Sequence, residues 1–214
     1  AAYSPAFELA KIGYVDMSDK PNFSMDATGA YYANTGYFIP SGDWYLLALL
    51  SSSTVWWFTK GLATAYRGGF FRLFTQYVEQ LPIPSTEQVV RTHIAELALQ
   101  AQQAAEYRRD LLNGFHRRIL ADLAPAGARL NAKLTDWATL DFKAFHDEVK
   151  KLFKQPIPLA ERDAWQSRFE ADKLRAQELT AEIARCERAI DAEVYRLVNL
   201  TPAEIAVIED DAAK

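Results

Sequence analysis

From Val90 onward, apolar or small residues recur as Val90, Ile94, Leu97, Ala101, Ala104, Leu111 and Phe115. From Trp165 the same rhythm returns as Trp165, Phe169, Ala176, Leu179, Ile183, Cys186 and Ile190. A repeat of about 3.5 residues draws one apolar stripe along a helix, and a stripe kept up over several heptads needs a second helix to cover it. Two long helices lying antiparallel are therefore expected, the first stripe broken only at Arg108. Between them LDFKAFHDEVKKLF reads as a shorter helix, which QPIP at 155–158 separates from the second long one. Capping boxes mark two helix starts, Ser85 with Gln88 after Pro84, and Thr201 with Glu204 around Pro202.

Residues 1–84 differ in kind. They hold most of the aromatic residues and glycines, whereas 85–214 is rich in Ala, Leu, Glu, Arg and Gln, and the change falls at LPIPS. KIGYVDMS and NFSMDATGAYYANTGYFIP read as short strands separated by turn residues such as Asp19, Pro21, Gly29 and Gly36. SGDWYLLALLSSSTVWWFTKGL reads as one buried helix, N-capped by Asp43 or Ser41 and C-capped by Gly61. The expected fold class is α+β: a small β-rich region with a packed helix over 1–84, then a helical, coiled-coil-like region over 85–214.

Several function classes lose their footing at this level. Cys186 is the single cysteine, so no internal disulfide can form, and a reducing compartment, the cytoplasm, is expected. His93, His116 and His146 stand too far apart for a local zinc motif, and no metal is expected. The longest uncharged run, Trp44 to Thr59, is shorter than the roughly 20 apolar residues of a membrane span. AAYSP has no basic n-region and no apolar run after it, so it is not read as a signal peptide, and the chain is expected to be a piece of a longer one. No phosphate-binding glycine loop and no G-x-S-x-G elbow occur, and carboxylates such as Glu182 stand at helical spacing from cations such as Arg185, the pattern of a solvated helix face. A self-sufficient hydrolase is thus a poor reading. No catalytic residue and no cofactor of its own are assigned to the chain.

Binding chemistry concentrates in AYRGGFFRLFTQYVEQLPIP, residues 65–84. Arg67 and Arg72 flank the Gly68-Gly69 pair, which suits a tight turn, and Lys60 ends the preceding helix, so three cations are expected near one edge. A guanidinium bridges phosphate oxygens or pairs with guanine, and Gln76, on the same side of a strand as Arg72, has the donor and acceptor that pair with adenine. The same residues also suit packing, with Arg72 lying over Phe70 and Phe74 and Gln76 bonded to nearby backbone. In GAYYANTGYF, Tyr31, Tyr32, Asn34 and Tyr37 combine stacking faces with polar tips, fit for base or sugar contacts and equally for half-buried strands. A formal net charge of −4 is the wrong sign for a free-standing nucleic-acid binder.

Taken in order, KIGYVDMS, NFSMDATGAYYANTGYFIP, WYLLALLSSSTVWWF and RGGFFRLFTQYVEQLPIP resemble the TaqI-like C-terminal specificity domain of adenine-N6 DNA methyltransferases and fused type II restriction-modification enzymes. AIDAEVYRLVNLTPAEIAVIED is similar to the ending of such enzymes. The resemblance implies a target-recognition domain that grips double-stranded DNA, with Arg67, Arg72, Lys60, Gln76, Asn34 and Tyr32 as candidate contacts. Its partner would be an N-terminal methyltransferase domain that transfers a methyl group from S-adenosylmethionine to a flipped adenine. The Asn-Pro-Pro-Tyr or Asn-Pro-Pro-Phe motif of that domain does not occur in this sequence. Thr75 stands where relatives often carry lysine, and Val198-Asn199 replaces the usual Tyr-Gly. The rival reading is a helical protein-interaction module of a phage-defence complex, with little DNA contact of its own.

Overall fold

The computed structural model describes residues 5–212; the opening residues read above for a targeting signal, 1–4, lie outside them, as do residues 213–214. The described residues form two compact units, one made of those up to Gln102 together with those from Ala184 onward, the other of Gln103–Ile183. Small antiparallel sheets at the start and long helices after them make the chain α+β.

The first unit opens with strands β1 (Lys11–Val15), β2 (Met17–Ser18), β3 (Phe23–Asp26) and β4 (Gly36–Ile39). β1 lies between β3 and β4, with Ile12 facing Met25 on one side and Ile39 on the other. A second sheet takes β2, β5 (Thr64–Ala65) and β6 (Phe71–Arg72), with β6 in the centre. Ile12 and Met25 pack with Leu47, Leu50, Val55 and Leu81. Tyr14, Trp56 and Leu73 form a second small cluster.

The apolar run after Asp43 is two helices and not the single one expected: α1 (Trp44–Ser51) and α2 (Ser53–Leu62). Asp43 caps α1 by accepting from the Tyr45 N–H over 2.9 Å. Ser52 breaks the run by taking an extended backbone; its Oγ donates to the Leu49 carbonyl and accepts from the Val55 N–H, ending one helix and capping the next. Gly61 lies inside α2, and Ala63 is the C-cap. A one-turn helix, α3 (Thr75–Val78), replaces the expected end of a strand, so Arg72 on β6 and Gln76 on α3 share no strand face.

The long helices are α4 (Gln88–Arg118) and α7 (Arg162–Leu197). α4 starts at Gln88, with the Glu87 carbonyl accepting from Arg91, so the expected box at Ser85 is not its N-terminus. In the first unit Ile94 and Ala98 of α4 pack with Ile190 and Val194 of α7 and with Tyr45, Ala48 and Leu49 of α1. In the second unit Phe115 of α4 packs with Trp165 and Phe169 of α7, and Arg108 donates to Thr180 over 3.0 Å. Within the second unit residue numbers rise on α4 as they fall on α7, Arg108 meeting Thr180 and Phe115 meeting Trp165 and Phe169, so the pairing there is antiparallel. Asp172 interrupts the α7 stripe as a buried charge held by Arg168 at 2.7 Å.

Between the long helices stand α5 (Ala132–Thr135) and α6 (Phe142–Phe153), capped by Asn131 and Asp141. After α7 comes α8 (Pro202–Ala212), and the box expected there forms: the Thr201 N–H donates to Glu204, and the Glu204 N–H to the Thr201 hydroxyl. Asn199 adopts a left-handed φ of 55°. Its N–H bonds the Arg196 carbonyl and that of Leu200 the Tyr195 carbonyl, so asparagine closes α7 in the manner expected of the missing glycine.

Candidate nucleic-acid interface

β5 and β6 form a hairpin whose end is Tyr66-Arg67-Gly68-Gly69-Phe70. Gly68 and Gly69 hold φ of 77° and 82°, a region that side chains rarely occupy, and this lets the chain reverse tightly. The glycine pair is a turn, as its sequence suggested. Arg67, on that turn, is exposed and makes no ion pair or hydrogen bond among the described residues.

The other candidate cations are engaged. Arg72 pairs with Asp16 at 3.1 Å, and its guanidinium lies over the Phe74 ring at 4.5 Å. Both the packing role and a residual exposed edge are therefore present at this residue. Lys60, in the last turn of α2, is paired with Asp211 of α8. Lys60, Gly68 and Gly69 do line a common groove of about 950 Å³, which Lys20 and Arg188 also reach. Arg72 is not among its lining residues.

Ser53 and Asp191 form the wall of that groove. The Asp191 carboxylate accepts from the Ser53 N–H at 2.7 Å and from its hydroxyl at 2.8 Å, an anion placed on the first residue of α2. Burial pushes the Asp191 carboxyl above its ordinary range, against the lowering effect of both Ser53 bonds. Asp191→Ala leaves the Ser53 donors without this partner, and a loss of about 1–3 kcal/mol in chemical denaturation is expected.

Gln76 is exposed on α3, and Asn34 is exposed in the turn before β4. Tyr32 is anchored more firmly. Its hydroxyl donates to Asp26 at 3.2 Å, and its ring stands so close to Gly13 that a Cβ there would come within 2.2 Å of Oη. Burial, and then the Asp26 charge, push the Tyr32 phenol up to about 12. Tyr31 stacks on Phe7 with centroids 5.0 Å apart, and Tyr37 on Tyr14 at 5.6 Å. The structure thus brings Lys60 and the glycine turn together, while Tyr32, Asn34 and Gln76 stand on other elements.

Lys20 and Arg188 escaped the sequence reading. Neither makes an ion pair among the described residues, and no motif marks either one. Arg188 belongs to a helix whose charges read from sequence as solvated, so only the groove distinguishes it. Asp16, too, carried no signal beyond a carboxylate in the turn after β1. Among the described residues, no helix is long and apolar enough to cross a membrane.

Comparison with known proteins adds what geometry cannot. No curated protein matches the sequence. Family matches cover most of the chain in two adjoining stretches, which meet near the prolines that precede α4. Residues 3–83 match the model of the TaqI-like C-terminal specificity domain, and the chain belongs, over residues 87–194, to the family described as a domain of unknown function (DUF8810).

Proposed function

We propose that this chain is the DNA sequence-recognition part of a site-specific adenine-N6 DNA methyltransferase or restriction-modification enzyme. It binds the duplex and positions it for methyl transfer from S-adenosylmethionine by a catalytic domain carrying the Asn-Pro-Pro-Tyr motif that this sequence lacks. The specificity-domain match over residues 3–83 carries the reading. Arg67 supports it, as an uncompensated guanidinium on a turn built by two left-handed glycines. Such a group is suited to phosphate or to the O6 and N7 of guanine. Arg72, Lys60, Gln76, Asn34 and Tyr32 remain candidate contacts. Arg72 and Lys60 would first have to exchange Asp16 and Asp211 for phosphate.

Fluorescence anisotropy of the full chain with a mixed-sequence duplex tests this directly. Binding is expected to be weak. Among the described residues three cations of the first unit, Lys20, Arg67 and Arg188, have no carboxylate partner, so their contribution to the fall of log K with log salt should be a slope no steeper than about −3. Arg67→Ala should make that slope shallower by about 1. Arg72→Ala should change it less, because its charge is already met by Asp16. Binding that is absent at low salt, or unchanged in Arg67→Glu, would sink the reading. A reading frame with no Asn-Pro-Pro-Tyr motif alongside such a result would favour a protein-interaction module.

A further inference from the structure

The hairpin end carries two rings as well as a cation. Thr64 faces Arg72 and Ala65 faces Phe71, and the next pair is Tyr66 with Phe70, joined by a bond of 2.7 Å from the Tyr66 N–H to the Phe70 carbonyl. Residues directly opposite in an antiparallel pair share a face of the ribbon, with Cβ atoms about 5 Å apart. Both rings are partly open to solvent, Tyr66 55% and Phe70 37% exposed, and the Phe70 ring lies beside Gly68, where a Cβ would come within 3.8 Å of it. Neither takes part in a ring contact among the described residues, whereas Phe71 lies edge-on to Trp56 at 6.0 Å and Phe74 stacks with Tyr77 at 6.3 Å. A Cβ placed on Gly69 would meet nothing within 4 Å, so approach to the tip is open.

Two partly exposed rings without an aromatic partner, beside an unpaired guanidinium, match the chemistry of unstacked nucleic acid. A ring accepts the π-face of any base, and the cation meets the phosphate that travels with it. An apolar peptide would use the rings and leave Arg67 uncompensated. We propose that Tyr66 and Phe70 form a stacking site for an unpaired or extruded nucleobase, with Arg67 beside them meeting the backbone phosphate that paired and unpaired DNA share. This rests on the DNA-binding reading above and goes further, because a duplex with every base paired offers no free face to stack.

The test compares two labelled probes by anisotropy with the full chain: a mixed-sequence duplex, and the same duplex carrying one bulged adenine. The bulged probe is expected to bind between about 5-fold and about 100-fold more tightly. Tyr66→Ala and Phe70→Ala should each reduce that ratio, and Phe70→Leu, which keeps apolar bulk without a ring face, should reduce it as well. Tyr66→Phe should preserve it. Arg67→Ala should weaken both probes and leave the ratio in place. Equal affinity of the unaltered chain for the two probes, or a ratio that survives in the Tyr66→Ala/Phe70→Ala variant, overturns the stacking site alone. No binding to either probe overturns the DNA-binding reading and the stacking site with it.

Discussion

Asp26→Ala is expected to destabilise the first unit by about 3–5 kcal/mol, because it strands a charge that has no route to water. Lys11 is 0% exposed, on the strand between β3 and β4, and its ammonium reaches Asp26 at 2.9 Å and the Phe7 carbonyl at 2.7 Å. Asp26 also accepts from the Thr28 N–H and hydroxyl and from Tyr32, so one carboxylate ties together β1, β3 and the loop that covers Gly13. The loss should appear as a lower midpoint in guanidinium unfolding followed by tryptophan fluorescence. Lys11→Met/Asp26→Ala should recover most of it, since methionine keeps the bulk of the lysine stem and removes the stranded charge. A double variant as unstable as the single one would show that the hydrogen bonds of Asp26, and not the charge of Lys11, set the cost.

The same pair fixes a direction with pH. Burial alone would raise the Asp26 carboxyl, but the hydrogen bonds from Lys11 and Thr28 and the Lys11 charge outweigh it and hold the group well below its ordinary value of 3.8. A depressed carboxylate contributes stability that is complete above its unfolded value and is lost as pH falls below it. Acidification below about pH 4 should therefore weaken the unaltered chain more steeply than Lys11→Met/Asp26→Ala. Asp191 has the opposite sign, since burial raises it, and its ionisation costs stability as pH rises above 3.8.

Much of this architecture is legible in the sequence wherever a single period or a single cap decides. The stripes from Val90 to Phe115 and from Trp165 to Ile190 announce two helices because burial on a helix repeats with the backbone. Gly68-Gly69 announces its turn because few residues tolerate that φ. Ser52 was not legible: within an apolar run, serine reads alike in a helix interior and at a cap, and only the packing of Leu49 and Val55 onto different clusters separates the two. The one-turn α3 is too short for any period to show. The site was legible as a set of residue types and illegible as a charge balance. Arg72 meets Asp16 and Lys60 meets Asp211 across long stretches of chain, and it is these pairings that leave Arg67 as the exposed, unmet cation at the hairpin tip.

Phe115→Ala should be the most damaging single truncation in the second unit, costing about 3–5 kcal/mol. Its ring lies 3.9 Å from that of Trp137, and Phe145, Trp165 and Phe169 surround it with centroids between 5.7 and 6.0 Å away. Those rings come from α6, α7 and the turn before α6, so a void at Phe115 removes partners from several elements at once, and closing it would require each to shift. Trp137 makes the void harder to tolerate. It is 0% exposed, and among the described residues its Nε1 has no hydrogen-bond partner, so apolar packing holds it in the core. Hydrogen exchange should show Leu134 to Phe153 losing protection first, ahead of β1 and its neighbours. Phe142→Ala, at the partly buried margin of the same cluster, should cost less. Equal costs for the two would mean that the core relaxes around Phe115 and that the stacked rings are not what holds α5 and α6 to the long helices.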